Sequence, residues 1–330
     1  MTGGAPAGAA PATGHPGNDP ATARERPPTL AHRVEYVALR AFLAALTPLG
    51  PARAAAVAGA FARFAYRPLG IRRGVVERQV AAAFPRASRD EVRRIARESY
   101  DNLGRVAVES AQRAARGRDA VLAAFDDSPD WAVVESARAR GRGIVMVAGH
   151  AGNWELMGAY LAARLGTFHA IARGIGNPFV DRYVRRVRER LGMRILHDQD
   201  AVRAVPRFLR QGDAVGFLSD QAAVGLASTF VPFFGRPAKT PRGAAVFALR
   251  FGAPVVAVHA IRQDTGRYRM LAEEIPVPDT GDRERDVDDV MRRFTDVLER
   301  VVRAHPGQYF WQHRRWKHQP PDTPPHLRGP

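Results

Sequence analysis

His150 and Glu155 are the pair in this chain best placed to do acid–base chemistry. An imidazole can take a proton near neutral pH, and a carboxylate can fix its tautomer and stabilise the imidazolium. Both lie in Gly143-Ile-Val-Met-Val-Ala-Gly-His150-Ala-Gly-Asn-Trp-Glu155-Leu-Met-Gly-Ala-Tyr. That stretch reads as a buried strand, a glycine-flanked turn and a helix. His150 thus falls at the carboxyl end of a strand, where open α/β sheets place their ligands. Five residues within one continuous helix would turn the two side chains about 140° apart. The pair can meet only if His150 sits in the turn, which Gly149 and Gly152 permit. The N–H groups of Ala151, Gly152 and Asn153 would then lie open at the helix start and could hold a developing oxyanion. Ten histidines and 33 acids among 330 residues yield about one His-x4-acid pair by chance, and there are two. The second, His259 with Asp264, falls in a stretch that reads as a β-hairpin, so His259 is read as structural.

Further polar residues sit at strand ends. Asp220 and Gln221 close the run Phe217-Leu-Ser-Asp-Gln. They suit either a turn cap or an active-site or substrate contact, and Asp220 could be a second acid at the His150 site. Arg173 follows another strand and is an expected anion contact. Asn177-Pro178 reads as a helix start, with Asn177 as cap. Phe230-Val-Pro-Phe-Phe-Gly-Arg236-Pro-Ala-Lys239 sets aromatics beside two cations. It would wall an acyl channel with Arg236 on a headgroup, or simply pack on the sheet. Gln308-Tyr-Phe-Trp-Gln-His-Arg-Arg-Trp-Lys317 interleaves aromatics with cations, which suits a membrane interface, single-stranded nucleic acid or a solvated helix end. There is no GxSxG elbow, GxxxxGK[ST] loop or GxGxxG turn. No cluster has metal-ligand spacing, and there is no cysteine. A metal-free, base-assisted reaction is the chemistry that remains.

These residues need elements to hold them. Strands are expected at Gly143–Ala148, Thr167–Ala172, Met193–Leu196, Ala214–Ser219, Pro254–Ile261 and Tyr268–Glu273, with helices after Gly152, Pro178, Gln199 and Pro241. That alternation predicts an α/β fold with a central, mostly parallel sheet flanked by helices. A helical region over residues 29–140 precedes the α/β core of residues 141–318. In it Ile71–Phe84 reads as a helix, and Ser88-Arg-Asp-Glu91 as a capping box opening a long one. Residues 1–28 and 319–330 read as disordered tails. The charge-free runs Ala41–Ala52 and Ala54–Ala62 are too short to span a bilayer. They suit either a helical hairpin in a membrane interface or a buried pair. The net charge is +17, and 48 of the 50 basic residues are Arg, so anionic partners are favoured. Acidic lipids, an acidic carrier protein and nucleic acid all qualify on charge, but no nucleic-acid motif is present.

From His150 to Lys317 the chain resembles the bacterial lipid A biosynthesis acyltransferases, a family that includes phosphatidylinositol mannoside acyltransferases and belongs to the glycerolipid acyltransferase superfamily. The resemblance rests on six ordered elements. These are Gly-His150-Ala-Gly-Asn-Trp-Glu155, Arg173 with Asn177-Pro178, Ser219-Asp220-Gln221, Phe230-Val-Pro-Phe-Phe-Gly-Arg236-Pro, Gly252-Ala-Pro-Val-Val256 and His313-Arg-Arg-Trp-Lys317. It implies a glycerol-3-phosphate-acyltransferase-like core with a membrane-associating N-terminal region on the cytoplasmic face of the inner membrane. It implies acyl transfer from an acyl-carrier-protein or coenzyme A thioester to a membrane glycolipid hydroxyl. His150 and Glu155 take the catalytic dyad positions, and Asp220 a further acidic position. Gly152, Asn153, Arg173, Asp220, Gln221 and Arg236 are the expected substrate contacts. No cofactor beyond the acyl donor, no nucleic-acid partner and a monomeric state are expected. One stretch departs from the family: Ala222 to Ser228 carries no charge where lipid A enzymes often carry basic residues. The acceptor thus stays open between a lipid A precursor and another glycolipid. The rival from another class is a non-catalytic lipid- or membrane-binding protein.

Overall fold

The computed structural model describes residues 28–222 and 225–330. Six helices come first: α1 (Leu30–Leu46), α2 (Pro51–Tyr66), α3 (Arg73–Ala83), α4 (Arg89–Arg116), α5 (Arg118–Leu122) and α6 (Trp131–Ala139). Alternation then begins with β1 (Ile144–Ala148), α7 (Trp154–Leu165), β2 (Phe168–Ala172), α8 (Pro178–Arg190), β3 (Arg194–His197), α9 (Ala201–Arg210) and β4 (Ala214–Leu218). A hairpin of β5 (Ser228–Phe233) and β6 (Arg236–Pro241) leads to α10 (Gly243–Phe251), β7 (Val255–Arg262), β8 (Tyr268–Ile275) and α11 (Arg283–Ala304). The tail expected over residues 1–28 lies outside the described residues, apart from Pro28.

The six expected strands form one sheet in the order β3-β2-β4-β1-β7-β8, parallel except for β8 against β7. Alternation along β1 explains the layering. Ile144 and Met146 face one core with Leu156, Met157 and Leu161 of α7. Val145 and Val147 face the other with α9, α10 and α11. Both faces are covered, as a parallel sheet requires. Val76 and Val80 of α3 and Ile95 and Tyr100 of α4 share that second core, so the helical region is built into the sheet's packing. Ser88 caps α4 as expected, its Oγ accepting from the N–H of Glu91 at 3.2 Å.

The β5–β6 hairpin is a departure from the sequence reading. Period-2 alternation is masked there by Pro232 and Pro237, and the segment read as an aromatic loop. Phe234 and Gly235 make its two-residue turn with φ of 51° and 70°, as a tight hairpin demands. Phe233 and Phe234 are buried. The C-terminal aromatics differ too. Trp311 and Trp316 are core residues packed around Phe233, Phe234 and Tyr309, not a membrane- or nucleic-acid-facing surface. The Pro-rich stretch that read as a tail continues over this face, with Thr323 buried and Gly329 against Trp316.

Among the described residues no helix is long and apolar enough to cross a membrane. The N-terminal hairpin divides its apolar residues between two faces. Leu46, Ala54 and Ala58 pack on Val108 of α4. Leu30, Val34 and Val37 of α1 and Val57, Phe61 and Phe64 of α2 are exposed, each set at i, i+4, i+7 spacing.

Candidate active site

Sheet register builds the site. Ala148 at the end of β1 pairs with Leu218 at the end of β4. Two residues beyond each, His150 and Asp220 therefore stand side by side. The Asp220 carboxylate holds His150 twice. Its Oδ2 accepts from the His150 backbone N–H at 2.9 Å, and its Oδ1 lies 2.6 Å from the ring Nδ1. With Nδ1 donating to the carboxylate, the proton-free nitrogen is Nε2. Asp220 is 1% exposed and the His150 side chain 17% exposed, so the acid is sealed while the base keeps a partly exposed edge. Trp154 and Phe310 flank the imidazole, with ring centroids 5.0 and 6.0 Å away.

Burial alone would raise the Asp220 carboxyl. His150, through its charge and both hydrogen bonds, and the buried Arg315 outweigh it and hold the acid well below the usual carboxylate range. Arg315 is itself fixed by Lys239 O and Thr240 Oγ1, each at 2.6 Å. Burial, reinforced by Asp220, keeps the Tyr309 phenol protonated beside the same acid. His259 and His313 complete the surroundings. Burial pushes each down to about 4, with Asp220 pulling the other way. The N–H of Gly149 donates to His259 Nε2 at 3.4 Å, the acceptor role of a neutral ring.

These two histidines yield a stability prediction. In the unfolded chain each takes up a proton near pH 6.5, whereas in the fold it does so near 4. Between those values the unfolded state holds more protons, so stability falls as pH falls through that window. His259 alone contributes a loss on the order of 3 kcal/mol by pH 4. Thermal melting from pH 7 to 4 should show a falling midpoint, with a shallower fall in His259→Gln. An unchanged slope in that variant would contradict the assignment.

Glu155 does not touch the imidazole Nδ1, and the orienting role expected for it belongs by geometry to Asp220. Glu155 instead pairs with Arg188 of α8 through a two-point fork, Nε to Oε2 at 2.9 Å and Nη2 to Oε1 at 2.6 Å. Burial would raise its carboxyl, but Arg188 outweighs that, with His150 assisting, and holds it below the usual range. The reason for the miss is helical. Glu155 is the second residue of α7, and its side chain turns toward α8 while His150 faces β4.

The three expected oxyanion donors are also committed elsewhere. Ala151 N–H donates to Gly149 O, Gly152 N–H to Gln308 O and Asn153 N–H to Ala260 O, all at 2.8 Å. Gly152 has φ of 64°, and a Cβ there would lie 1.9 Å from Ala260 O, so only glycine fits. Asn153 is wholly buried and caps α7, its Oδ1 accepting from Leu156 N–H at 3.0 Å. Its amide donates to Tyr268 Oη at 3.0 Å and to Glu109 Oε2 at 3.3 Å, in a network closed by Arg262. It shapes the turn and presents no surface to solvent. Trp154 and Glu155 have the N–H groups at the start of α7 that lack an acceptor among the described residues.

The remaining expected contacts separate. Gln221 follows Asp220 in a half-buried loop, and Arg173 is exposed beyond β2. Arg236 is not a headgroup ligand here. Its guanidinium donates to the carbonyls of His326 and Arg328 at 3.0 and 2.9 Å, pinning the C-terminal stretch. Asn177 caps α8 and also donates to His32 O and Glu35 Oε2 of α1, tying α1 to the core. Sequence reading missed Arg188, Tyr309 and Arg315. Arg188 was one cation among many in an Arg-rich helix, and Tyr309 and Arg315 lay in a segment that read as surface.

Comparison with known proteins decides the family. Residues 25–318 match the family model described as bacterial lipid A biosynthesis acyltransferase. The chain belongs to this family. It is 25% identical to the lipid A biosynthesis palmitoleoyltransferase of Escherichia coli over 76% of this chain and 80% of that one. It is 25% identical to the lauroyltransferase of the same organism over 79% and 84%. The phosphatidylinositol mannoside acyltransferase of Mycobacterium tuberculosis is also 25% identical, over 62% of each chain. The protein is therefore an acyltransferase of the lipid A and glycolipid type. The family implies an acyl donor and a glycolipid acceptor, and the His150–Asp220 pair of this acyltransferase lies just beyond the carboxyl ends of β1 and β4.

Proposed function

We propose that this acyltransferase moves a fatty acyl group from an acyl-carrier-protein or coenzyme A thioester to a hydroxyl of a membrane glycolipid. The observation that carries the reading is the double contact of Asp220 with His150, which leaves the imidazole Nε2 as an oriented base on a partly exposed ring. Nε2 takes the acceptor hydroxyl proton as that oxygen attacks the thioester carbonyl. The C–S bond then breaks, and the departing thiolate recovers the proton from the imidazolium. Asp220 stabilises that imidazolium without itself being protonated. The open N–H groups of Trp154 and Glu155 are the donors nearest in sequence to the base for the tetrahedral oxyanion. Each buried CH2 of the acyl tail contributes about 0.8 kcal/mol, so a long chain is firmly held once an apolar groove takes it. The Trp154 and Phe310 rings begin such a wall.

No serine elbow or cysteine supports an acyl-enzyme, so transfer is direct. The uncharged stretch Ala222–Ser228 leaves the acceptor open between a lipid A precursor and a glycolipid with fewer phosphates, such as a phosphatidylinositol mannoside with its single phosphodiester. The exposed stripes of α1 and α2 support peripheral attachment to the cytoplasmic face of the inner membrane. Incubation with a panel of acyl thioesters and bacterial lipid extract tests the reading. Thioester consumption should accompany one acylated glycolipid, identified by mass spectrometry, with no acyl group on the protein after quenching. Acyl-protein that forms and decays at the turnover rate would overturn direct transfer. Vesicle binding without transfer from any donor would shift weight to a non-catalytic lipid-binding role.

A further inference from the structure

We propose that the groove between α2 and α4 is a binding site for the phosphate of an anionic phospholipid. The proposal rests on the peripheral-membrane reading and adds the lipid class and the residues that select it. The groove encloses about 630 Å³ and is lined by Arg63, Arg67, Arg93, Arg94 and Arg97, with Asp90 its one acidic lining residue. Arg63, in the last turn of α2, and Arg67, just beyond it, form one wall, and Arg93, Arg94 and Arg97 of α4 the other. Arg63 is engaged with Asp101, Arg93 with Asp90 and Arg94 with Glu98. Arg67 and Arg97 are exposed and have no carboxylate partner among the described residues. A guanidinium fork matches two phosphate oxygens, and two forks facing across a groove can grip one phosphate.

The surroundings decide the source of that phosphate. Phe64, half exposed, is itself a lining residue. It ends the exposed stripe of Val57 and Phe61, and Leu69 and Ile71 lie exposed just beyond it. Phe61 packs against Phe42 of α1 with tilted rings and centroids 4.8 Å apart, which joins the two helices of the hairpin. A free phosphate has no use for such a border. A phospholipid does, because its chains continue along the apolar stripe while its headgroup meets the arginines.

The test uses the full chain and co-sedimentation with phosphatidylcholine vesicles, with and without phosphatidylglycerol, in the absence of acyl donor. Wild type should bind the anionic vesicles more tightly. Arg67→Ala/Arg97→Ala should lose about 25-fold of that affinity, at roughly five-fold per cation removed. Arg203→Ala/Arg207→Ala on α9 removes the same net charge elsewhere and should lose less than about three-fold, as screened diffuse attraction would. Arg67→Lys/Arg97→Lys keeps the charge but not the forks and should fall between. Equal losses in the two alanine pairs, or full binding by the lysine pair, would reduce the effect to diffuse charge and overturn the site. Thermal stabilisation by inorganic phosphate that the Arg67→Ala/Arg97→Ala pair abolishes, with vesicle binding unchanged, would overturn the lipid as its source. Wild type that binds no vesicle at all would sink the peripheral-membrane reading itself. Acyl transfer is measured separately, on detergent-dispersed acceptor, so it stands or falls on its own.

Discussion

Asp220→Asn should lower acyl transfer by about 10³- to 10⁴-fold while the protein remains folded, and His150→Ala should lower it at least as far. The asparagine has nearly the shape of the acid but lacks its charge. It can no longer stabilise an imidazolium, and an amide donor facing Nδ1 favours the wrong tautomer. The backbone N–H of His150 keeps an acceptor in the amide oxygen, so the turn should hold. That separates chemistry from folding. If Asp220 were only a turn cap, Asp220→Asn would retain activity within a few-fold, and single-turnover kinetics with a saturating thioester would show it.

The sequence and the structure agree where chemistry is local and part where it is not. The strand, turn and helix around His150 were legible because apolar run, glycine turn and a mostly apolar helix follow one another within about twenty residues. The six strands of the main sheet were legible for the same reason. Asp220 was visible as an acid at a strand end and as a second acid for the His150 site, yet its direct grip on the imidazole Nδ1 was not. Seventy residues separate them, and only the β1–β4 register of Ala148 on Leu218 sets them together. Spacing along the chain instead favoured Glu155, five residues away, although α7 turns its carboxylate toward Arg188. The oxyanion donors failed for a related reason. A free helix start is the default for an isolated helix, but here strand β7 and the Gln308 segment supply acceptors to Gly152 and Asn153 from distant parts of the chain. Trp311, Trp316 and Arg315 show the reverse error. Aromatics mixed with arginines suggest a surface by composition. The structure buries all three, because Thr240 and the carbonyl of Lys239 are there to receive the guanidinium.

The Glu155–Arg188 pair offers the sharpest test of that distinction between a base's partner and its scaffold. Both side chains are mostly buried, 15% and 18% exposed, and joined by two hydrogen bonds. Removing one partner leaves the other charged and desolvated, which costs about 3–5 kcal/mol. Arg188→Met should therefore destabilise the fold by about that much, with a fall in urea midpoint and no change in m. Glu155 would lose the cation that now holds its carboxyl down, and burial would push it up. Its ionisation would then no longer favour the fold, and acidification should cost Arg188→Met less stability than it costs wild type. Glu155→Gln/Arg188→Met removes both charges and should recover much of the loss, since replacing a buried pair is far cheaper than breaking it. The recovered double variant is the decisive protein. If Glu155 acts through α7 and the turn it anchors, stability and acyl transfer should return together. If Glu155 were the imidazole's own partner, stability would return and transfer would stay as low as in Asp220→Asn.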